Sequence, residues 1–251
     1  MLQPLIFILL MSCGEDAEEK GTYGSNNWDG KENTDGEGNT DGEGNTDSSE
    51  PSDYTGGWPS NSTKDDLGSP AWTPSGTVGD QVPRFIGVDQ YGDMVDLYDF
   101  AGHGVPIVID IGTSFCAPCK DLAAYLSDGD MSHLYWDVDE ETGEDEYYPW
   151  WKAEYEGLRQ LIADGDIYWI TVLFNESDSG PASQEECEAW HDQFPNAYIP
   201  VLADTEFQLK EWLGIESYPT LNLVNSDMIL EIHSTGGPFD VLRHIGDILE
   251  Q

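Results

Sequence analysis

The chain has 251 residues, and its 50 acidic and 9 basic side chains give a formal net charge of −41. This balance argues against nucleic-acid binding, because few cations are available to neutralise phosphates, and against a polybasic membrane-surface protein. The four cysteines are too few for a disulfide-dense scaffold, so a folded core must come from apolar packing. With 9 Trp, 12 Tyr and 8 Phe, the chain has too many aromatic residues to be wholly disordered.

The chain begins with the apolar run MLQPLIFILLM, which is as long as the core of a signal peptide and too short to span a membrane as a helix. The run is followed by Ser12 and Cys13. A small residue directly before a cysteine at this point resembles the bacterial lipobox, although the run lacks the usual Lys or Arg. The resemblance implies a lipoprotein signal peptide over residues 1–12 and lipidation of Cys13. The alternative is an ordinary secretory signal in which Cys13 is incidental.

Residues 13–76 are rich in Gly, Ser, Asn and Asp, and residues 33–47 repeat the hexapeptide NTDGEG. Residues 14–76 have 15 acidic and 3 basic side chains, which leaves 35 acidic and 6 basic side chains for residues 77–251. The repeat loosely resembles a calcium loop but lacks the bidentate Glu at its twelfth position. The composition therefore predicts a disordered, self-repelling linker that holds a domain away from a membrane.

The remaining residues, 77–251, alternate between strand and helix patterns. Residues 84–89 and 94–97 flank a Gly-containing turn and predict a β-hairpin. The apolar run at 106–111 predicts a central strand that is buried on both faces. The further predicted elements are helices at 117–126, 150–163, 183–194, 206–213 and 238–249 and strands at 167–174, 199–202, 220–224 and 228–233. Residues 127–149 are acidic and turn-rich and are interpreted as an insertion. This order predicts an α/β fold with a central mixed sheet flanked by helices on both faces.

Two cysteines lie at the junction between the predicted buried strand and the helix that follows it. Cys116 is at the start of the helix, where free backbone N–H groups and the helix dipole favour its thiolate. Cys119 is one turn further along, within reach of a mixed disulfide formed at Cys116. Half of a structural zinc site is the alternative, but neither a second cysteine pair nor paired histidines at metal spacing follow.

Three features together resemble the thioredoxin superfamily, and within it the extracytoplasmic TlpA/ResA-like branch. They are the strand–CxxC–helix junction, Asp110 six residues before Cys116, and Tyr218–Pro219–Thr220 after an amphipathic helix. The hairpin and residues 236–237 also fit, so the resemblance covers about residues 78–250. The chain departs from the branch at Phe115, where Trp is usual, and in its longer acidic insertion.

The resemblance implies a thioredoxin-like fold with a defined set of site residues. Cys116 and Cys119 would form the redox-active disulfide, and Asp110 would be the buried acid that accepts the proton of the second cysteine. Pro219 would be a cis-proline that faces the pair. Phe115, Tyr218 and Thr220 would contact substrate, with the Tyr218 backbone free to pair with an extended segment. The residues themselves also favour burial of Asp110, since Ile109 and Ile111 flank it, and burial raises the pKa of a carboxyl group.

The function implied is a membrane-tethered thiol–disulfide oxidoreductase, with reduction of disulfides in extracytoplasmic proteins favoured and oxidation or isomerisation left as alternatives. Its partners would be those proteins, a membrane or periplasmic thiol that donates electrons, and the membrane itself through the lipid on Cys13. The expected location is the periplasmic side of a bacterial cell envelope. The outer membrane is favoured because Gly14, and not Asp, follows Cys13. No cofactor and no metal are expected, and Cys187 is interpreted as a passive thiol.

Two other functions are weighed against this one. The pattern Thr113-x-x-Cys116 fits part of the peroxiredoxin motif and suggests a thiol peroxidase, but Ile109 stands where that motif has proline. A non-enzymatic, metal-binding lipoprotein of thioredoxin fold would need three residues between its cysteines, and this chain has two. The net charge of the domain favours basic or neutral substrates.

Overall fold

The computed structural model describes residues 53–72, 75–139, 141–175 and 180–250. These residues belong to one compact unit, Asp47–Gln251. The predicted signal peptide, Cys13 and the NTDGEG repeats lie outside the described residues. In the described ranges, no helix is both long enough and apolar enough to cross a membrane.

The described elements follow the predicted alternation. The strands are β1 (Ile86–Asp89), β2 (Met94–Asp96), β3 (Ile107–Gly112), β4 (Tyr135–Val138), β5 (Asp145–Tyr147), β6 (Tyr168–Leu173), β7 (Val201–Ala203), β8 (Thr220–Val224) and β9 (Leu230–Ile232). The helices are α1 (Ala117–Asp128), α2 (Leu158–Asp164), α3 (Gln184–Gln193), α4 (Gln208–Trp212) and α5 (Phe239–Leu249). Short 3-10 turns cover Lys64–Leu67, Leu97–Phe100, Met131–Leu134 and Ala153–Tyr155.

Seven strands form one mixed sheet in the order β2-β1-β7-β6-β3-β8-β9. β3 pairs in parallel with β6, and β6 pairs in parallel with β7. β8 and β9 add antiparallel strands on one side, and the β1–β2 hairpin extends the sheet beyond β7 on the other. The predicted α/β fold, with a central mixed sheet flanked by helices and an added N-terminal hairpin, is confirmed.

All six residues of β3 are buried, because helices and turns cover both faces of the sheet. Val108 packs on one face with apolar residues of α1, α2 and α5. Ile107, Ile109 and Ile111 point to the opposite face and pack with α4 and the Leu97–Phe100 turn. Alternate residues of a strand point to opposite faces, so Asp110 and Gly112 share the α1 face with Val108.

The predicted helix at 150–163 is divided into the Ala153–Tyr155 turn and α2. The division falls at Gly157, where an added Cβ would lie 2.5 Å from Cδ2 of Leu249, so a larger residue there would displace the Leu249 side chain of α5. In the predicted insertion, residues up to Asp128 belong to α1, which ends at Gly129 in the left-handed region. The rest of the insertion forms a 3-10 turn and the separate two-stranded sheet β4–β5.

The predicted linker ends earlier than expected. We expected disorder up to residue 76, whereas residues 53–72, the N-terminal segment, pack on the domain. Trp58 is only 3% exposed, and its indole N–H donates a hydrogen bond of 2.7 Å to Asp89. Lys64 forms ion pairs with Asp99 at 2.6 Å and with Asp96 at 3.3 Å. The domain therefore includes residues from Asp53 onward, and a boundary at residue 77 is too late.

Candidate active site

Cys116 and Cys119 form a disulfide at the N-terminus of α1, with their Cα atoms 5.3 Å apart. Cys116 is the N-cap residue and has an extended backbone, and its Sγ accepts a hydrogen bond of 3.1 Å from the N–H of Cys119. Pro118 lies in the first turn, where a missing N–H costs no helical hydrogen bond. When the disulfide is reduced, the helix dipole and this N–H favour a thiolate on Cys116.

The disulfide lies in an apolar environment, and each cysteine is only 5% exposed. The surrounding residues come from β6, β7 and α3 and include Leu173, Val201 and Ala203. Gly112 lies directly beneath the pair, since an added Cβ there would lie 3.3 Å from Cys119 Sγ. A larger residue at position 112 would therefore push against Cys119, a constraint that the motif pattern did not reveal.

Asp110 lies on β3 two residues before Gly112, on the face that α1 covers, and is 7% exposed. Its Oδ2 accepts long hydrogen bonds from Trp169 Nε1 at 3.3 Å and from Thr171 Oγ1 at 3.4 Å. No basic side chain of the described ranges forms an ion pair with it. Burial raises the pKa of Asp110 to about 7, and the two hydrogen bonds offset this only in part. A carboxyl group with this pKa can accept or release a proton near neutral pH.

The peptide bond between Tyr218 and Pro219 is cis, and it lies directly before β8. Thr220 pairs with Ile111 at the end of β3, so Pro219 lies beside the loop that leads to Cys116. Thr220 itself is fully buried. Its hydroxyl donates to the Ser217 carbonyl and accepts from the N–H of Gly237 at 3.2 Å. The structure thus gives the Thr220 side chain a part in holding this loop.

Three aromatic side chains form a continuous edge beside Cys116, which we call the aromatic rim: Phe115, Phe174 and Tyr218. Phe115 is 44% exposed and Tyr218 is 37% exposed, and their rings pack edge to face at 6.3 Å. Tyr218 also packs edge to face on Phe174 at 5.9 Å. The ammonium of Lys210 on α4 lies 5.8 Å from the centre of the Phe174 ring. Phe115 and Tyr218 can be identified from the sequence, whereas Phe174 and Lys210 are brought to the aromatic rim only by the fold.

Cys187 lies on α3 in the same apolar cluster as the disulfide and is completely buried. Burial raises the pKa of its thiol, and the carboxylates of Asp89 and Glu186 raise it further. These surroundings disfavour a thiolate. Among the described residues, no group of three His, Cys, Asp or Glu side chains is arranged to hold a metal ion.

The sequence matches no protein-family model and no curated protein. The structure is similar to the thioredoxin domain of a thiol-disulfide oxidoreductase from Bacteroides vulgatus, with 16% identity, 70% of this chain and 99% of that chain covered, and a TM-score of 0.42. It is also similar to a thioredoxin-like protein from Bacteroides caccae at 13% identity, with a TM-score of 0.46. That match covers 71% of this chain and 51% of the other. A third similar structure is a proposed thiol:disulfide interchange protein DsbE from Chlorobium tepidum, at 17% identity and with a TM-score of 0.45. That match covers 70% of this chain and 100% of the other. At these identities, the similarity concerns the fold and does not extend to substrate or partner.

Proposed function

We propose that this chain is a thiol–disulfide oxidoreductase that reduces disulfides of extracytoplasmic proteins. The observation that carries the proposal is the Cys116–Cys119 disulfide at the N-terminus of α1, with buried Asp110 on the strand beneath that helix. A structural disulfide would not need a titratable carboxyl group buried under the same helix, because an unpaired carboxylate is costly to bury. Proton transfer between Asp110 and Cys119 would account for a carboxyl group buried at this position.

The reaction would follow thiol–disulfide exchange. The Cys116 thiolate attacks one sulfur of a substrate disulfide, and the other substrate sulfur leaves as a thiolate. Asp110 takes the proton of the Cys119 thiol, and the Cys119 sulfur then attacks Cys116 Sγ. This attack breaks the mixed disulfide, releases the second substrate sulfur and forms the Cys116–Cys119 disulfide. Two electrons have passed to the substrate, and an external thiol donor would return the pair to its reduced form.

Substrate would bind as an extended segment along Tyr218. Within the described part of the chain, the backbone N–H and C=O of Tyr218 make no hydrogen bond, so both can pair with an added strand. The exposed ring faces of Phe115 and Tyr218 flank the route to Cys116. This arrangement suits an unfolded or locally open protein segment that carries a disulfide.

The lipobox-like start of the sequence supports a lipid anchor at Cys13 on the periplasmic side of the envelope, with the outer membrane favoured. Residues 14–52 would separate the domain from the membrane. The electron donor would then be a membrane or periplasmic thiol. Labelling of the expressed protein with radioactive palmitate tests this part, since a Cys13→Ala variant should take up no label. Equal labelling of that variant would exclude Cys13 as the lipid site.

Reduction of insulin by the purified protein, with dithiothreitol as the final donor, tests the activity. We expect the Cys116→Ser variant to lose turnover and the Cys119→Ser variant to accumulate a mixed disulfide with substrate. Unchanged turnover in Cys116→Ser would refute the proposal, and consumption of peroxide in its place would indicate a thiol peroxidase. The reduction potential of the pair against glutathione tests the direction, since a value near that of thioredoxin indicates a reductant.

A further inference from the structure

The basic side chains of residues 77–251 differ in whether they have a protein partner. Residues 77–251 contain 35 acidic and 6 basic side chains. Arg84, Lys152 and Arg243 form ion pairs with carboxylates, and Arg159 donates hydrogen bonds to two backbone carbonyls at the end of α1. The other two bases, Lys120 and Lys210, form no ion pair with any residue of the described ranges.

Both of these lysines belong to the proposed redox site. Lys120 directly follows Cys119 in α1, and its N–H donates to the Cys116 carbonyl at 3.1 Å. Lys210 lies over Phe174, at one end of the aromatic rim, and Phe115 at the other end is next to Cys116 in the chain. Residues 77–251 have almost six carboxylates for each cation, and of the two cations without an ion pair one adjoins Cys119 in α1 and the other lies at the far end of the aromatic rim.

The position of Lys210 makes it accessible to a bound segment. Its side chain is half-buried, and the contact with the Phe174 ring holds the ammonium by a cation–π interaction while occupying none of its N–H donors. At physiological ionic strength, charges are screened over about 8 Å, so more distant carboxylates of the domain act weakly on a group that touches Lys210. The local contact therefore favours a carboxylate, although the domain as a whole is strongly acidic.

We propose that Lys210 selects substrates in which an Asp or Glu lies close to the reactive cysteine. This inference rests on the proposed function and adds a substrate class to it. Three consecutive contacts of about 6 Å each, from Lys210 to Phe174, to Tyr218 and to Phe115, separate Lys210 from the Phe115 ring. An extended segment spans this distance with at most about five residues. An apolar side chain between the cysteine and the carboxylate would pack on the aromatic rim. The rest of the substrate can be neutral or basic, as the charge of the whole domain favours.

The experiment uses the full chain and two disulfide-containing peptides. The peptides differ only at the third residue from the cysteine, which is Glu in one peptide and Lys in the other. The quantity measured is the ratio of kcat/KM for the Glu peptide to kcat/KM for the Lys peptide. Lys210→Glu is compared with Lys152→Glu, which changes the net charge equally. Lys152 is a matched control because it also lies over a ring, that of Tyr155 at 6.0 Å, but in a different apolar cluster.

We expect Lys210→Gln to lower the ratio about two- to fivefold, the range typical of one exposed charge pair, and Lys210→Glu to lower it further. Lys152→Glu should leave the ratio at the wild-type value, and about 0.5 M NaCl should shrink the effect of Lys210. Partial unfolding would lower kcat/KM for both peptides by the same factor, so it cannot by itself produce the expected fall in the ratio. A ratio that responds equally to Lys210→Glu and Lys152→Glu, or to neither, would overturn the inference while leaving the proposed function intact. If the wild-type protein reduces neither peptide nor insulin, the proposed function itself fails.

Discussion

Replacing Asp110 with Asn should remove one defined part of the pH dependence of stability. Burial raises the pKa of Asp110 to about 7 in the folded, oxidised protein, against about 3.9 for an Asp in an unfolded chain. A difference of about 3 pKa units corresponds to about 4 kcal/mol, at 1.36 kcal/mol per unit. Because the folded state holds the proton more tightly, the stability that Asp110 contributes is fully present below about pH 4. It is lost as the pH rises through about 7.

Asn cannot titrate, so it does not lose this contribution as the pH rises. Between about pH 4 and about pH 7, the free energy of unfolding of Asp110→Asn should therefore rise relative to that of the wild type. The gain should level off above that range, at no more than about 4 kcal/mol. The Asn amide can still accept hydrogen bonds from Trp169 and Thr171, but its own NH2 group has no evident acceptor. That unpaired group subtracts a similar amount at every pH, so the test rests on the slope and not on the offset.

Urea unfolding of the oxidised protein at several pH values between about 4 and about 8 measures this difference. The many other carboxylates titrate in both proteins, and their contributions cancel when the two curves are subtracted. Asp166→Asn serves as the control, because Asp166 is exposed. A difference between wild type and Asp110→Asn that is flat with pH, or that falls as the pH rises, would refute the assignment of a raised pKa to Asp110.

Two further predictions concern the stability of the domain. Trp58→Phe removes the indole donor of fully buried Asp89 and should lower the free energy of unfolding by about 1–3 kcal/mol. An unchanged urea midpoint would show that this hydrogen bond contributes no stability. The excess of 35 acidic over 6 basic side chains in residues 77–251 should make the melting temperature rise with NaCl up to about 0.5 M, since salt screens repulsion among the carboxylates. A melting temperature that is flat or falls with salt would contradict this reasoning.

The central strand and the redox pair could be predicted because their signals are local. A run of β-branched residues predicted β3 to within a residue of its observed ends, and the CxxC motif predicted the start of α1. The predicted helix at 183–194 likewise agrees with α3, where the Ser183 hydroxyl caps the first turn by accepting a hydrogen bond from the N–H of Glu186 at 3.3 Å. Each of these signals depends on neighbours in the chain, so composition and spacing were sufficient.

The N-terminal segment and the far end of the aromatic rim could not be predicted because their partners are distant in sequence. Trp58 and Lys64 lie in a Gly- and Ser-rich stretch that resembles a linker, and their acidic partners come 31 and 35 residues later. Phe174 follows β6 and Lys210 lies on α4, and the fold brings both to the aromatic rim. The pattern of either residue alone is that of an ordinary core or surface position.

Some basic side chains are needed for folding because they pair with buried carboxylates, and others are not. A buried carboxylate without a partner is costly, whereas an exposed one is hydrated and needs none. Lys64 and Arg84 accordingly lie against Asp96 and Asp99, both almost fully buried, while most other carboxylates face solvent. Lys210 neutralises no buried acid, and its contact with the Phe174 ring contributes only about 0.5–1 kcal/mol to stability. Recognition of a negatively charged group at the redox site would account for its place beside the aromatic rim.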